Sequence, residues 1–194
     1  MTIYLDNGHG KETPGKRSPD SQLMEWSWNR TFVDMLLSLL RKQGTPVRLV
    51  CPEDTDIPLR QRCQRVNQWY KEDGDALLIS VHVNAAGSDG NWHQANGWQV
   101  CVSTNASDRS KEFATYIANE IRADGLNLRV PNRNQPYWIQ NLAICRDSKC
   151  PAVLCENLFM DCLTDCQMLL RSDFLWRMAD SYISAINKYI KKYG

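Results

Sequence analysis

The sequence predicts an α/β layer fold built as a single domain over residues 1–194, with about six strands flanked by helices on both faces of one sheet. Three observations predict it. Short apolar runs alternate along the chain with longer amphipathic ones, the pattern of strands feeding helices. The stretch Leu77-Leu78-Ile79-Ser80-Val81 is almost continuously apolar, as a central strand covered on both faces must be. The length suits one domain with its own core, and no linker, internal repeat or low-complexity tract divides it.

The elements follow in order. Ile3 to Asp6, Val47 to Cys51, Ala76 to Val83, Gly97 to Ser103, Leu142 to Cys145 and Ala152 to Glu156 are short and mostly β-branched or aliphatic, and each is read as a strand. Met24 to Lys42 carries Trp26, Val33, Leu36, Leu37 and Leu40 at helical spacing, with Gly44 and Pro46 as the stop. Pro58 to Tyr70 is a second helix opened by Asp56, Ser107 to Ala123 a third opened by Ser107 or Asp108, and Asp173 to Lys192 a fourth. A shorter helix starts near Thr164. Residues 85–96 and 125–140 concentrate Gly, Asn, Pro and Ser without periodicity. Loops this long inside a domain more often wall a groove than stand idle.

Composition limits the partners. The 23 basic and 22 acidic residues leave a formal charge of +1, so no field draws the chain to nucleic acid or an anionic membrane. No apolar run approaches the roughly 20 residues that span a bilayer. The segment Met1-Thr2-Ile3-Tyr4-Leu5-Asp6 lacks the basic and apolar regions of a signal peptide, so the expectation is a chain without one, made in the cytoplasm. Eight cysteines include no C-x-x-C pair, and Cys145, Cys150, Cys155, Cys162 and Cys166 are spaced too loosely for a zinc ribbon. They are expected as buried thiols, with disulfides the alternative in an oxidising compartment.

Three ionisable residues stand at strand carboxyl ends, where open α/β sheets build their sites. His9 follows the first strand within Asp6-Asn7-Gly8-His9-Gly10, His82 ends the central strand, and Glu156 ends Ala152-Val153-Leu154-Cys155-Glu156. Glu25 lies in the first turns of the long helix with Asn29 one turn on. Two imidazoles and a carboxylate form a set that zinc favours in catalytic sites, with a fourth position left for water, and Glu156 then supplies an acid/base. Taken singly, each residue has an ordinary alternative: a core or surface histidine, or a capping or ion-paired glutamate.

These residues sit in a wider pattern. Leu5-Asp6-Asn7-Gly8-His9-Gly10, Glu25-x-x-x-Asn29, Leu59-x-x-Arg62 with Asn67, Ser80-Val81-His82-Val83-Asn84 and the run from Pro151 to Met160 together resemble the zinc-dependent N-acetylmuramoyl-L-alanine amidases of the type 3 amidase family. The resemblance covers nearly the whole chain. It implies a mixed, mostly parallel sheet of about six strands, Zn2+ held by His9, Glu25 and His82, and Glu156 as the catalytic residue. It also implies hydrolysis of the amide between N-acetylmuramic acid and the L-alanine of the peptidoglycan stem peptide, in cell-wall lysis or remodelling of the autolysin or endolysin kind. The substrate implies action in the periplasm or cell wall after release or export. A monomer is expected. Two positions depart from the family pattern, Trp98 where a smaller residue is frequent and Cys162 where Asn is common.

Asn84 and Arg146 are the candidate substrate contacts, Arg146 as a fixed cation for stem-peptide carboxylates, with a structural ion pair as its alternative. The loop aromatics Trp92, Tyr137 and Trp138 offer surfaces for sugar or peptide, whereas His93 reads as an exposed loop residue. No helix between Asn84 and Gly97 looks long enough to plug a cleft. A wall-binding module without turnover would need neither an open metal position nor a base, and a zinc peptidase would differ only in its groove.

Overall fold

Alternation along the central strand decides the architecture. The computed structural model describes residues 1–194. Strand β3 (Ala76–Asn84) lies between β1 (Thr2–Asn7) and β6 (Ala152–Phe159), parallel to both. Beyond β1 lies β2 (Val47–Leu49), and beyond β6 come β4 (Gln99–Val102) and β5 (Trp138–Ile139), giving the order β2-β1-β3-β6-β4-β5. Only the β4–β6 pairing is antiparallel, so the six-stranded sheet is mixed and mostly parallel.

One set of alternating residues, Ile3, Leu5, Leu77, Ile79, Val81, Val153, Cys155, Val100 and Val102, faces the larger core. Helices α1 (Glu25–Lys42), α3 (Asp108–Ala123) and α6 (Ser172–Tyr193) close it, with α5 (Leu163–Leu169) at its margin. Their apolar stripes supply Phe32, Leu36, Leu40, Phe113, Ile117, Tyr182 and Ile186, all fully buried. The opposite set, Tyr4, Ala76, Leu78, Cys101, Ala152 and Leu154, packs under α2 (Leu59–Asp73) and α4 (Ala143–Arg146) in a thinner layer. Helices thus cover both faces. All eight cysteines are buried free thiols, five of them in that thinner layer.

The helix ends follow local chemistry. Ser107 caps α3, its hydroxyl accepting the Ser110 N–H at 3.2 Å. Helix α1 stops at Gly44, whose φ of 78° lets Gly44 and Thr45 donate back to Arg41 and Leu40. Asp56 does not cap α2; the helix opens on Pro58 and the Asp56 carboxylate takes a guanidinium N–H of Arg62 at 3.0 Å.

One expected strand is a helix. Residues 142–145 form the start of α4, where Arg146 N–H donates to Leu142 O and Asp147 N–H to Ala143 O. Ile144 and Cys145 are both buried, and two adjacent buried residues fit one helical turn as well as a doubly covered strand. The sixth strand is instead β5, inside the segment 125–140 read as loop. It is only two residues long, too short to show alternation.

At the carboxyl end of β1 the thin face turns polar. Asp6 and Ser80 stand opposite each other in the β1–β3 ladder, and the Ser80 hydroxyl donates to Asp6 at 2.6 Å. Arg62 of α2 reaches the same carboxylate at 2.9 Å, the Asn7 carbonyl at 2.8 Å and the Ile57 carbonyl at 2.7 Å. Both charged side chains are almost wholly buried. Removing one partner of such a pair leaves an uncompensated buried charge, so Arg62→Ala should cost about 3–5 kcal/mol of stability, read from urea unfolding midpoints. A loss under ~1 kcal/mol, the range of exposed pairs, would contradict the tie.

Candidate active site

Past Asp6 and Ser80, the next positions on the same sheet face carry the ionisable groups. His82 and Glu156 are direct partners in the β3–β6 ladder and Gln99 faces Glu156 across the β4–β6 ladder, so the three form one row. Beyond His82 and Glu156 the β3–β6 register shifts, so that Asn84 pairs with Phe159.

His9 joins the row from the loop after β1. Its φ of 64° lies in the left-handed region, which costs an L-residue about 1 kcal/mol or more. Helix α1 holds that turn: Asn29 Nδ2 donates to Gly8 O and Arg30 Nη1 to His9 O, each at 3.1 Å. Gly8 itself is required by close approach, since a Cβ there would fall 2.2 Å from the His82 ring. The two imidazoles consequently meet edge to face with centroids 5.0 Å apart.

Glu25, one turn before Asn29 on the same helix, lies between them and is 1% exposed. Its Oε1 is 3.2 Å from His82 Nδ1 and 3.4 Å from His9 Nε2, and it accepts the Val83 N–H at 3.1 Å. Its Oε2 is buried without a partner. Burial pushes the Glu25 carboxyl up, but hydrogen bonding and charge from His82 and then His9 outweigh it and hold the group well below the usual carboxylate range. Burial likewise pushes His82 down while Glu25 beside it pulls harder, leaving His82 raised.

Ligand atoms of His9, Glu25 and His82 all lie within 4.8 Å of one another. Two imidazoles, one carboxylate with a buried unpartnered oxygen, and a glycine that admits the rings fit a catalytic zinc ion. Glu156 stands beside this cluster. Burial is the main cause that raises its carboxyl to about 7, Glu25 adds to the rise, and His82 and Lys16 oppose it. Its Oε2 also has no partner. A carboxyl poised near neutrality can both take and give a proton.

All four residues line a cleft of about 860 Å³ with Lys16, Asn84 and Leu142. No helix covers it: residues 85–98 cross its edge as loop. Arg146 lies elsewhere. Its guanidinium is committed to Asp147 at 2.7 and 2.8 Å and to Asn141 at 2.7 Å, beside a separate hollow near Ser107. His93 bonds Asp89 in its own loop at 2.9 Å, Trp92 is exposed, and Trp138 donates its indole N–H to Arg129 O. The departures at Trp98 and Cys162 are both buried, and Trp98 donates to Asn157 Oδ1, which also takes the Tyr182 hydroxyl. Asn157 in turn donates to His82 O at 2.9 Å, so the larger residue braces the strand that carries His82.

Sequence reading left two participants without a role. Lys16 reaches the cleft because its carbonyl accepts the Glu25 N–H at 2.9 Å, a pairing between separate turns with no periodic signal. Gln99 belongs to the row through the register of the antiparallel β4–β6 pairing, which sequence spacing does not reveal.

Comparison with known proteins agrees with this architecture. The crystal structure of an N-acetylmuramoyl-L-alanine amidase from Clostridium difficile 630 superposes with a TM-score of 0.85 at 24% identity, covering 100% of this chain and 98% of that one. The sporulation-specific N-acetylmuramoyl-L-alanine amidase of Bacillus subtilis (strain 168) is 23% identical over 190 residues, 97% of this chain and 68% of its own length. The endolysin of Bacillus phage SPP1 is 25% identical over 185 residues, 95% of this chain and 64% of its own. The chain thus spans about two thirds of the length of these curated relatives. The model of the N-acetylmuramoyl-L-alanine amidase family, type 3, matches residues 3–188, and the chain belongs to that family.

Proposed function

We propose that the chain hydrolyses the amide joining the lactyl group of N-acetylmuramic acid to the L-alanine of the stem peptide, with zinc held by His9, Glu25 and His82 and Glu156 as the acid/base. The observation that carries this reading is the convergence of three ligand atoms within 4.8 Å, beside a buried carboxyl near neutrality, in one cleft. When bound, zinc supplies Lewis-acid polarisation of a carbonyl and makes water more acidic.

The protein's residues do the rest. His9 and His82 each offer an imidazole nitrogen, and Glu25 offers a carboxylate whose Oε2 lacks any other partner. The Val83 N–H fixes Glu25 by occupying Oε1. Glu156 takes a proton from the attacking water as oxygen adds to the carbonyl carbon. It then delivers the proton to the departing nitrogen as the C–N bond breaks, leaving a lactyl carboxylate and a free L-alanine amine. Asn84 at the cleft edge is positioned to hydrogen-bond the substrate. The substrate lies outside the cytoplasmic membrane, so the protein acts in the periplasm or wall; no helix is long and apolar enough to cross a membrane.

Purified peptidoglycan treated with the protein should yield stem peptides with free L-alanine amino termini by mass spectrometry. Cleavage between amino acids of the stem would instead identify a peptidase. Glu156→Gln should lower turnover by at least ~100-fold, the range for loss of a general base, with zinc content by elemental analysis unchanged. Equal turnover of the two proteins sinks the mechanism. Gly8→Ala drives a methyl into the His82 ring and should abolish stoichiometric zinc uptake, whereas full loading of this variant would show that the rings have room.

A further inference from the structure

Beyond Glu156 the row continues to a second hollow. A groove of about 370 Å³ adjoins the catalytic cleft, the two sharing Asn84 and Ala85, and it is lined among others by Gln99, Arg129, Trp138 and Phe159. Arg129 is immobilised from every side. Its N–H donates to Trp98 O at 2.8 Å, its carbonyl takes the Trp138 indole at 2.9 Å, and its Nε donates to Gln99 Oε1 at 3.3 Å. The guanidinium carbon lies 5.0 Å from the Phe159 ring centroid, in stacking range.

What Arg129 lacks is an anion. Eight Arg side chains elsewhere form ion pairs, yet no carboxylate lies within 4.0 Å of Arg129, unlike Arg146 with Asp147 or Arg62 with Asp6. Neither Nη makes a hydrogen bond to the protein, so a planar fork of donors stands half-buried in the groove, matched to a carboxylate. Ordering it in advance lowers the conformational cost of binding.

We infer that this groove binds a carboxylate of the stem peptide through Arg129, so that the protein prefers peptides whose carboxyl groups are free over amidated ones. This rests on the proposed amidase reading and names the part of the substrate that reads the groove. Strand spacing of about 4.8 Å puts the Gln99 backbone one strand from Glu156, and the Arg129 head one side chain further. A carboxylate one or two residues along the peptide from the scissile nitrogen spans that interval, since a residue extends at most about 3.5 Å.

The test uses the released peptide and needs no turnover. Calorimetric titration of the full chain with L-alanyl-γ-D-glutamyl-L-lysine is compared with the same peptide amidated at the glutamyl α-carboxyl and with one amidated at the C-terminus. Amidation of one of these should weaken wild-type binding by roughly tenfold, the value of a charge-assisted hydrogen-bond pair, and thereby identify which carboxyl is read. Arg129→Gln should bind the free and amidated forms alike. Equal wild-type affinity for all three, absence of binding, or discrimination that survives in Arg129→Gln overturns the inference. The wild-type comparison stands even where the variant folds poorly. Discrimination without amide hydrolysis would remove the amidase reading and keep the carboxylate site; hydrolysis without discrimination would do the reverse.

Discussion

The site depends on one buried carboxylate reached from a helix rather than from the sheet. Glu25 sits in the first turn of α1, yet its Oε1 bonds the backbone of β3 at Val83 and approaches both histidines. Burying such a charge costs several kcal/mol unless partners compensate it, and the compensation comes from imidazoles supplied by two different segments. The same helix turns further to place Asn29 and Arg30 on the carbonyls of Gly8 and His9. One helix therefore sets the position of one proposed ligand, Glu25, the backbone of a second, His9, and contacts the strand of a third, His82.

A division of labour between the two sheet faces makes this possible. The thick face gathers α1, α3 and α6 into a 35-residue apolar core, which holds the sheet rigid. The thin face is apolar only in its middle and becomes polar toward the strand carboxyl ends, first at Asp6 and Ser80, then at His82 and Glu156. Arg62 fills the interval between α2 and β1, satisfying Asp6 while tying the loop at Ile57 to the end of the strand. Arg62 thus buries several polar groups with partners around the cleft, while Glu25 Oε2 and Glu156 Oε2, on the two carboxylates of the proposed site, are among the buried oxygens left without one.

Much of this was legible in the residues. Strand-end histidines, the Glu25-x-x-x-Asn29 spacing and the apolar run of β3 express short-range rules, period 2 in strands and one turn in helices, so the four residues of the proposed site could be named before their convergence was visible. What stayed hidden depends on pairing across the chain. Residues 142–145 satisfy their backbone within one turn, and nothing in four residues distinguishes that from a strand. Arg146 followed that misreading: at the end of a helical turn it meets its neighbour Asp147, whereas Arg129, which lines the groove beside the cleft without a carboxylate partner, comes from a segment read only as loop. Lys16 reaches the cleft through a turn pairing and Gln99 reaches the adjoining groove on an antiparallel strand, neither of which leaves a periodic trace.

The bridge between Trp98 and Leu128 has a consequence for how such a domain diversifies. It zips the end of the 85–98 loop to the 125–140 segment, and Asn127 and Arg129 add hydrogen bonds on either side. Two stretches far apart in sequence thus form one mechanical unit, seated on β4 and separate from α1 and its carboxylate. Insertions or exchanges in either stretch that keep Trp98, the brace of the His82 strand, would reshape the same wall while the row of His82 and Glu156 keeps its geometry. Selectivity and chemistry are consequently separable traits in this architecture, free to change at different rates.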